Sequence, residues 1–514
     1  MMKKLTLTAV VLAASVMMPY AASAQYRTDV AEDAPKTETQ LILEKADSSE
    51  TPVIISLEQA LKIALSENVS VKVADMEIKR AEYAKKGSYA ALFPQIDASG
   101  AYQRTIKKQV MYMDFDMSSL TGALGGLGGG AGTGSGEGAA GGSGEGTSTP
   151  PAEDSGSGAA GGMADGMEVG RWNTFSAGIS AAMPLVNAQL WKSIKLSGLD
   201  VEMAVEKARS SRLDMVTQVK NAYFGTLLAK EAFNVYKEVY ENAVKNLEEA
   251  QKKYDAQKSS EMELIRAKTT VANAVPNVYN AESSVILALW QLKAVLGVDL
   301  DMNLDIEGKL SDYAQQMFYD IHQYDDVTLD RNSTMKQLAI QAEMLAQNIK
   351  IQQYAYIPTL AVAFNYSMNA MTNDFNFSEY RWTPYSYVGL SLNIPIFSGG
   401  KRYHQVKQAK NQHQQLLLQQ VNTERQLKIA IRQYLTTMET SMKSYYAAKD
   451  AVASAQKGYD IVAASYAVGR SKLIELNDAQ LALTQSQLAE SQAIYNFVTA
   501  KSQLEQTLGQ DFTK

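Results

Sequence analysis

The chain has 514 residues, 49 Lys and Arg against 55 Asp and Glu, and no cysteine. A net charge of −6 with no basic stripe argues against nucleic acid as a partner. The lack of Cys excludes disulfides, thiolate nucleophiles and Cys-ligated metals. Beyond the N-terminus no apolar run reaches the ~18 residues of a membrane helix, so a membrane-spanning part has to be a β-barrel.

Residues 1–24 read as a secretory signal: Lys3 and Lys4, an apolar run from Leu5 to Met18, and the small-x-small site Ala22-Ser23-Ala24. The run is too short for an anchor helix. Cleavage after Ala24 leaves Gln25 first and a net charge of −8 once Lys3 and Lys4 are gone. With no Cys at that site the mature chain is expected to carry no lipid. Residues 25–55 are polar and mixed and read as an N-terminal linker. Ser56 with Gln59 three residues on is a capping box. The helix it opens is expected to run to about Leu92, where Phe93-Pro94-Gln95 breaks it.

Ile96, Ala98, Gly100 and Tyr102 alternate with Asp97, Ser99 and Gln103, the period of a strand with one apolar and one polar face. Such a strand suits a barrel with a wet lumen, and equally an ordinary solvent-facing sheet. Residues 118–168 are low complexity. Positions 122–170 hold 20 of the 33 glycines, and no Lys or Arg lies between Lys108 and Arg171. Such a segment has too little apolar area to pack, and reads as a long acidic loop inserted between two strands. Gly136, Gly138 and Gly141 match a dinucleotide fingerprint in letters only, with no strand–turn–helix unit around them.

Phe175, Ala177, Ile179, Ala181 and Met183 give the next strand an apolar face, and Pro184 is expected to close it, having no N–H for the ladder. Residues 188–257 contain no Pro and read as one helix, about 100 Å long at ~1.5 Å per residue. Val216, Val219, Tyr223 and Leu227 step along it as a coiled-coil seam does. A turn near Lys258, Ser259 and Ser260 leads to a return helix ending at Leu296-Gly297. Residues 298–326 read as a small irregular side segment.

The second half repeats the first. Tyr254 and Tyr466, Glu263 and Glu475, and Gly297 and Gly509 are each 212 positions apart. Pro184 and Pro395 are 211 apart, and Pro94 and Pro358 are 264 apart, so the excess lies where the Gly-rich insert sits. The repeats are bounded at 56–297 and 327–509, with 510–514 as a tail. In the second, Leu360, Val362, Phe364, Tyr366 and Met368 share one strand face. The next strand ends at Pro395, Gly399-Gly400 makes the turn, and a helix follows from about Lys401 to Val468. Each half thus supplies two strands, and four strands cannot enclose a lumen alone.

The junction Val388–Gly400, VGLSLNIPIFSGG, resembles the second strand-to-helix junction of the TolC family of outer-membrane efflux proteins, and the likeness runs from about Ser56 to Gly509. It implies a mainly α fold of two repeats, whose long coiled-coil helices build a periplasmic α-barrel. It also implies a homotrimer that pools four strands per protomer into a twelve-stranded transmembrane barrel in outer-membrane lipid. The implied function is a passive exit duct of a tripartite efflux system, without catalysis or cofactor. Its implied partners are a periplasmic adaptor and an inner-membrane RND or ABC transporter. A type I protein secretion duct uses the same architecture. A periplasmic coiled-coil structural protein with no pore is the reading from a different class.

Within Tyr466–Gln480, YAVGRSKLIELNDAQ, the residues Tyr466, Gly469, Leu473 and Glu475 resemble the family's helix-turn tip. Gly469 suits a helix C′ position. The resemblance assigns adaptor contacts to Gly469, Arg470, Ser471, Leu473 and Ile474, and in the first turn to Lys258, Ser259 and Ser260, which stand where a glycine is expected. Glu475 and Asp478 are three apart and share a helix face. By resemblance they ring the narrow entrance, where six carboxylates from three copies favour cations; by position alone they are a solvated helix flank. Glu263 and Tyr466 are placed to form a polar link of the gate. A second family link uses Arg where this chain has Ser471, with Arg470 and Lys472 beside it. His322, His404 and His413 have no metal-ligand spacing.

Overall fold

A computed structural model of the chain describes residues 39, 42, 46, 52–111, 167–317, 328–376 and 379–510. The expected signal 1–24, most of the 25–55 stretch, nearly all of the Gly-rich insert, His322 and residues 511–514 lie outside the described residues. In chain order the elements are β1 (Val53–Ile55), α1 (Leu57–Glu67), α2 (Val69–Ala90), β2 (Gln95–Arg104), β3 (Gln109–Met111), β4 (Met167–Val169), β5 (Asn173–Val186), α3 (Ala188–Asp255) and α4 (Glu261–Leu296). They continue with β6 (Leu304–Ile306), a 3-10 helix (Leu310–Met317), α5 (Ser333–Tyr354), β7 (Thr359–Thr372), β8 (Thr383–Asn393), α6 (Lys401–Ala467) and α7 (Leu473–Leu508). Two units result: the chain up to Ala84 with Leu196–Ala346 and everything from Ala409, and Lys85–Lys195 with Gln347–Gln408.

In the first unit, α1 opens on the expected capping box. Ser56 Oγ accepts the Gln59 N–H at 3.3 Å, and Gln59 Oε1 accepts the Ser56 N–H at 3.1 Å. The helix does not run on to Leu92. It stops at Asn68, where ψ is 130°. Neither Pro nor Gly marks this break, because a side chain makes it. Asn68 Oδ1 accepts the Ser70 N–H at 2.7 Å, and Nδ2 donates to Val295 O at 2.8 Å. The second half repeats the device. Asn332 Oδ1 accepts the Met335 N–H at 2.9 Å at the start of α5, and Nδ2 donates to Thr507 O at 2.6 Å. The two Asn are 264 positions apart and their acceptors 212 apart, the two spacings of the repeat.

The stretch read as linker ends in structure. Ala46 is buried, and β1 pairs in parallel with β6, Val53 opposite Leu304. Three residues are too few to show a periodicity, so this strand carries no sequence signal. The expected side segment supplies its partner. Tyr223 Oη donates to Glu307 O at 2.6 Å and ties the pair to α3. The seam is core: Val216 is 5% exposed, Val219 0%, Tyr223 1% and Leu227 1%. Val219, Tyr223 and Leu227 pack with Leu292 and Leu296 of α4, Ile431 and Met438 of α6, and Phe497 of α7. Each such side chain contributes roughly 1.5–3 kcal/mol on burial.

All four long helices end alike, in a turn where the residue two past the cap donates back to a carbonyl five positions earlier. The bonds are Lys258 N to Lys253 O at 2.8 Å, Val298 N to Lys293 O at 3.2 Å, Arg470 N to Ser465 O at 2.8 Å and Gln510 N to Glu505 O at 3.1 Å. The turn needs a left-handed residue, supplied by Gly297, Gly469 and Gly509.

In the second unit, β2, β5, β7 and β8 form one antiparallel sheet in that order. Directly paired residues share a face. One row is therefore Ile96, Ala181, Phe364 and Val388, and the next row on the opposite face is Asp97, Ser180, Asn365 and Tyr387. The alternation holds across all four strands, so the sheet has an apolar and a polar face. Pro184 does not close β5. The strand continues to Val186 through a bulge, with Pro184 opposite Ala361. The β2 ladder has already stopped at Ala182, so Pro184 lies where β5 has a neighbour on one side only and its missing N–H is tolerated. β8 ends at Asn393, before Pro395, and Gly399 and Gly400 both take positive φ, 58° and 80°, ahead of α6.

A Cβ on Gly509 would lie 2.1 Å from Arg331 O, whereas one on Gly469 would meet nothing within 4 Å. Both positions are left-handed, so Gly469→Ala is expected to cost about 1 kcal/mol. Gly509→Ala adds a backbone clash and is expected to cost about 3 kcal/mol or more. Denaturant unfolding of the two variants checks the difference.

Candidate functional site

Two regions carry chemistry: the paired helix turns of the first unit and the two faces of the sheet in the second. At the turns, Tyr466 is the centre. Its ring is 1% exposed and packs with Ala250 of α3, Ala267 of α4, and Leu473 and Leu476 of α7. Lys253 of α3 lies over the ring, Nζ 3.7 Å from its centroid, and the same ammonium donates to Tyr466 O. That carbonyl, at the helix end, also accepts the Gly469 N–H at 3.0 Å, and a cation there complements the helix dipole. Tyr466 Oη is buried with no hydrogen-bond partner among the described residues. Burial first, then the nearby charges of Glu263 and Glu249, push its phenol up to about 12. The Glu263 carboxylate thus lies close enough to the Tyr466 phenol to act on it.

Glu475 and Asp478 are both exposed on one face of α7. Glu475 has a local role: its carboxylate accepts the Lys472 N–H at 3.3 Å and caps the helix. The equivalent first turn uses the other half of a capping box, Ser260 Oγ accepting the Glu263 N–H at 3.4 Å. Asp478 makes no hydrogen bond or ion pair among the described residues. Leu473 is buried in the turn cluster, so its side chain is not on offer to a partner; Ile474 is 50% exposed, and Arg470 and Lys258 are exposed. Ser259 Oγ is buried without a hydrogen-bond partner among the described residues, and the Ser471 N–H is bonded to Ser465 O at 3.3 Å.

The expectation that Lys258, Ser259 and Ser260 replace a glycine needs correction. Gln257 holds the left-handed position at φ 56°, 212 residues before Gly469 at φ 78°. Lys253 went unnoticed in the sequence because its repeat counterpart is Ser465, so the repeat carried no signal for it.

On the sheet, the apolar face is uncovered: Val388 is 71% exposed, Leu390 72% and Ile96 63%. Near one end Tyr102 and Phe175 stack at 4.8 Å, with Tyr380 at 5.3 Å from Phe175. Among the tyrosines near the strands, Tyr102 and Tyr380 join this cluster. Tyr366 lies mid-sheet on the apolar face, and Tyr385 and Tyr387 point to the polar face instead, opposite Ser367 and Asn365. The cause is register, since Tyr385 and Tyr387 sit one position out of phase with Val388 and Leu390.

No helix among the described residues is long and apolar enough to cross a membrane. No group of three or more His, Asp or Glu among them could hold a metal.

The family model described as outer membrane efflux protein matches residues 126–298 and 326–510. The chain belongs to the outer membrane efflux protein family. Within this family it is 20% identical over 342 residues to the outer membrane protein TolC of Vibrio cholerae, covering 65% of this chain and 76% of that one. It is 19% identical to the alkaline protease secretion protein AprF of Pseudomonas aeruginosa, covering 65% and 69%. The fold matches the Campylobacter jejuni CmeC outer membrane channel with a TM-score of 0.63 at 16% identity, covering 90% and 91% of the two chains. The TolC-like, mainly α architecture expected from the sequence is therefore the one observed.

Two outcomes are expected at the turns. Tyr466→Phe removes a buried, unpaired hydroxyl and should stabilise the protein by about 1 kcal/mol. The raised phenol pKa favours the folded state fully below pH ~10 and loses that contribution as pH rises towards 12. Thermal unfolding at pH 8 and pH 11 checks both: the alkaline loss should be smaller in Tyr466→Phe. Separately, Gln257→Gly relieves a left-handed glutamine and should stabilise by about 1 kcal/mol, measured by the same melts.

Proposed function

We propose that this family member is a homotrimeric exit duct of a tripartite efflux system. It passively passes small molecules delivered by an inner-membrane pump, of RND or ABC type, and a periplasmic adaptor. The outer-membrane efflux duct is the family's function. One observation carries the proposed assembly. The sheet has an uncovered apolar face, a polar face and two open edges, β2 and β8. In water the apolar face is an aggregation hazard. In lipid that face is solvated, but the edges leave N–H and C=O groups unpaired at several kcal/mol each. Strand directions alternate across the sheet, so β8 of one copy meets β2 of the next in the antiparallel sense and a ring closes without reversing a strand. The family number of three gives twelve strands. β7 has 14 residues, about 45 Å at ~3.3 Å each. Tilted by ~45°, it spans about 30 Å, a bilayer core.

In this reading residues 1–24 are the export signal, 56–297 and 327–509 are the two duct repeats, and the Gly-rich insert is an exterior loop. The helix turns form the periplasmic tip. Ile474 and its repeat equivalent Met262, 59% exposed, offer apolar contacts to an adaptor, with Lys258 and Arg470 beside them. Leu473 supports that surface from beneath. Glu475 and Asp478 of three copies line the entrance and favour cations. Opening is a small shift of the tip helices. The similarity to AprF supports a second reading, a duct for type I secretion of polypeptides. A pore-free coiled coil leaves the two-faced sheet without a role.

Purified mature protein in a planar bilayer is expected to give cation-selective single channels. Glu475→Ala with Asp478→Ala should lower the cation preference about threefold or more and leave channels intact. Unchanged selectivity would return both carboxylates to a capping and solvated-flank role. Folded protein that never conducts would sink the duct.

A further inference from the structure

The polar face of the sheet is built almost wholly of small or uncharged side chains. Among its described strand residues, Tyr385 and Tyr387 are the aromatic groups and Asp97 is the charged group. The two rings stand side by side on β8 with centroids 5.7 Å apart, and they are 62% and 46% exposed. Next to them the face dips into a concavity of about 120 Å³, walled by Asn365 and Ser367, the cross-strand neighbours of Tyr387 and Tyr385. Its floor crosses Gly178, where a Cβ would lie 3.0 Å from Tyr366 O. Asp97 ends the row that Tyr387 begins, three strand spacings or about 14 Å away.

From this arrangement we propose that Tyr385 and Tyr387, with the adjoining furrow and Asp97, form a transit subsite for planar aromatic cations on the polar face of the barrel. The proposal rests on the duct reading, which turns this face to the lumen. Packing does not account for the rings, since no described residue on their side of the sheet covers them. A water-filled lumen has no use for exposed aromatic surface unless something stacks on it. Aromatic faces attract cations and planar rings, and the shallow floor leaves room for a ring to lie flat. The carboxylate of Asp97 sets the sign of charge. Such a site is open and shallow, so it holds cargo briefly and releases it, which suits conduction.

The test is open-channel block of the full mature protein in a planar bilayer by phenyltrimethylammonium and by tetraethylammonium. The two probes are alike in charge, and only the first carries a ring. Both probes offer a cation to the rings and only the first adds ring–ring stacking, so in wild type the aromatic probe is expected to dwell about twofold to tenfold longer. Tyr385→Ala with Tyr387→Ala should abolish that difference, Tyr385→Phe with Tyr387→Phe should keep it, and Asp97→Asn should shorten both dwell times. Equal dwell times for the two probes in wild type would overturn the subsite while leaving the duct standing. A full aromatic preference in the double Ala variant would do the same. Conductance recorded before any blocker is added tests the duct separately, and its absence from folded protein removes both.

Discussion

A sheet of four strands with two open edges and one bare apolar face is not a finished structure. Its edge amides and carbonyls need partners, and Val388, Leu390 and Ile96 need something other than water against them. Lipid meets the second requirement and aggravates the first, because unpaired backbone groups are most costly where no water reaches them. Closure between copies meets both. The alternating strand directions make that closure possible without any change in the chain. In the proposed ring, the face of every strand residue is assigned. The small polar residues, Asp97 and the Tyr385–Tyr387 pair then share one aqueous side.

The first unit solves a different problem with repeated parts. Helices of 68 and 67 residues must stop and reverse in register. Each does so with the same turn, and each return helix ends against an asparagine that also starts another helix. Gly297 and Gly509 allow the close approach, since a side chain there would run into Asn68 or Arg331. One asparagine thus satisfies donors and acceptors at two helix termini, where orphan groups would otherwise be buried.

The two turns are not equivalent, and the differences gather around Tyr466. The first turn tolerates a left-handed glutamine and caps with Ser260; the second has Gly469 and caps with the Glu475 carboxylate. Only the second buries a phenol without a partner, under a lysine from the first. An unpaired buried polar group is a weak point in a packed cluster. It sits where the proposed gate requires a small rearrangement to be inexpensive.

Much of this protein was legible in the chain itself. Period-2 runs place the strands, a long stretch without Pro and a coiled-coil seam the first long helix, and Gly the ends of three of the four long helices. A 212-residue offset exposes the repeat, and a capping box marks α1. These are local signals, set by sterics and by which face of a short segment is apolar. The rest needed tertiary structure, because it depends on residues far apart in sequence. Asn68 breaks a helix that its neighbours favour, since Val295 O is within reach. Pro184 is tolerated inside β5 because β2 has already ended. Tyr385 and Tyr387 are placed on the polar face only by their pairing with β7. Lys253 finds Tyr466 only when two hairpins pack. Sequence by itself determined the elements, their repeat and the two-faced strands; the partner of each polar group and the face of each aromatic were decided by packing and register, which no local pattern encodes.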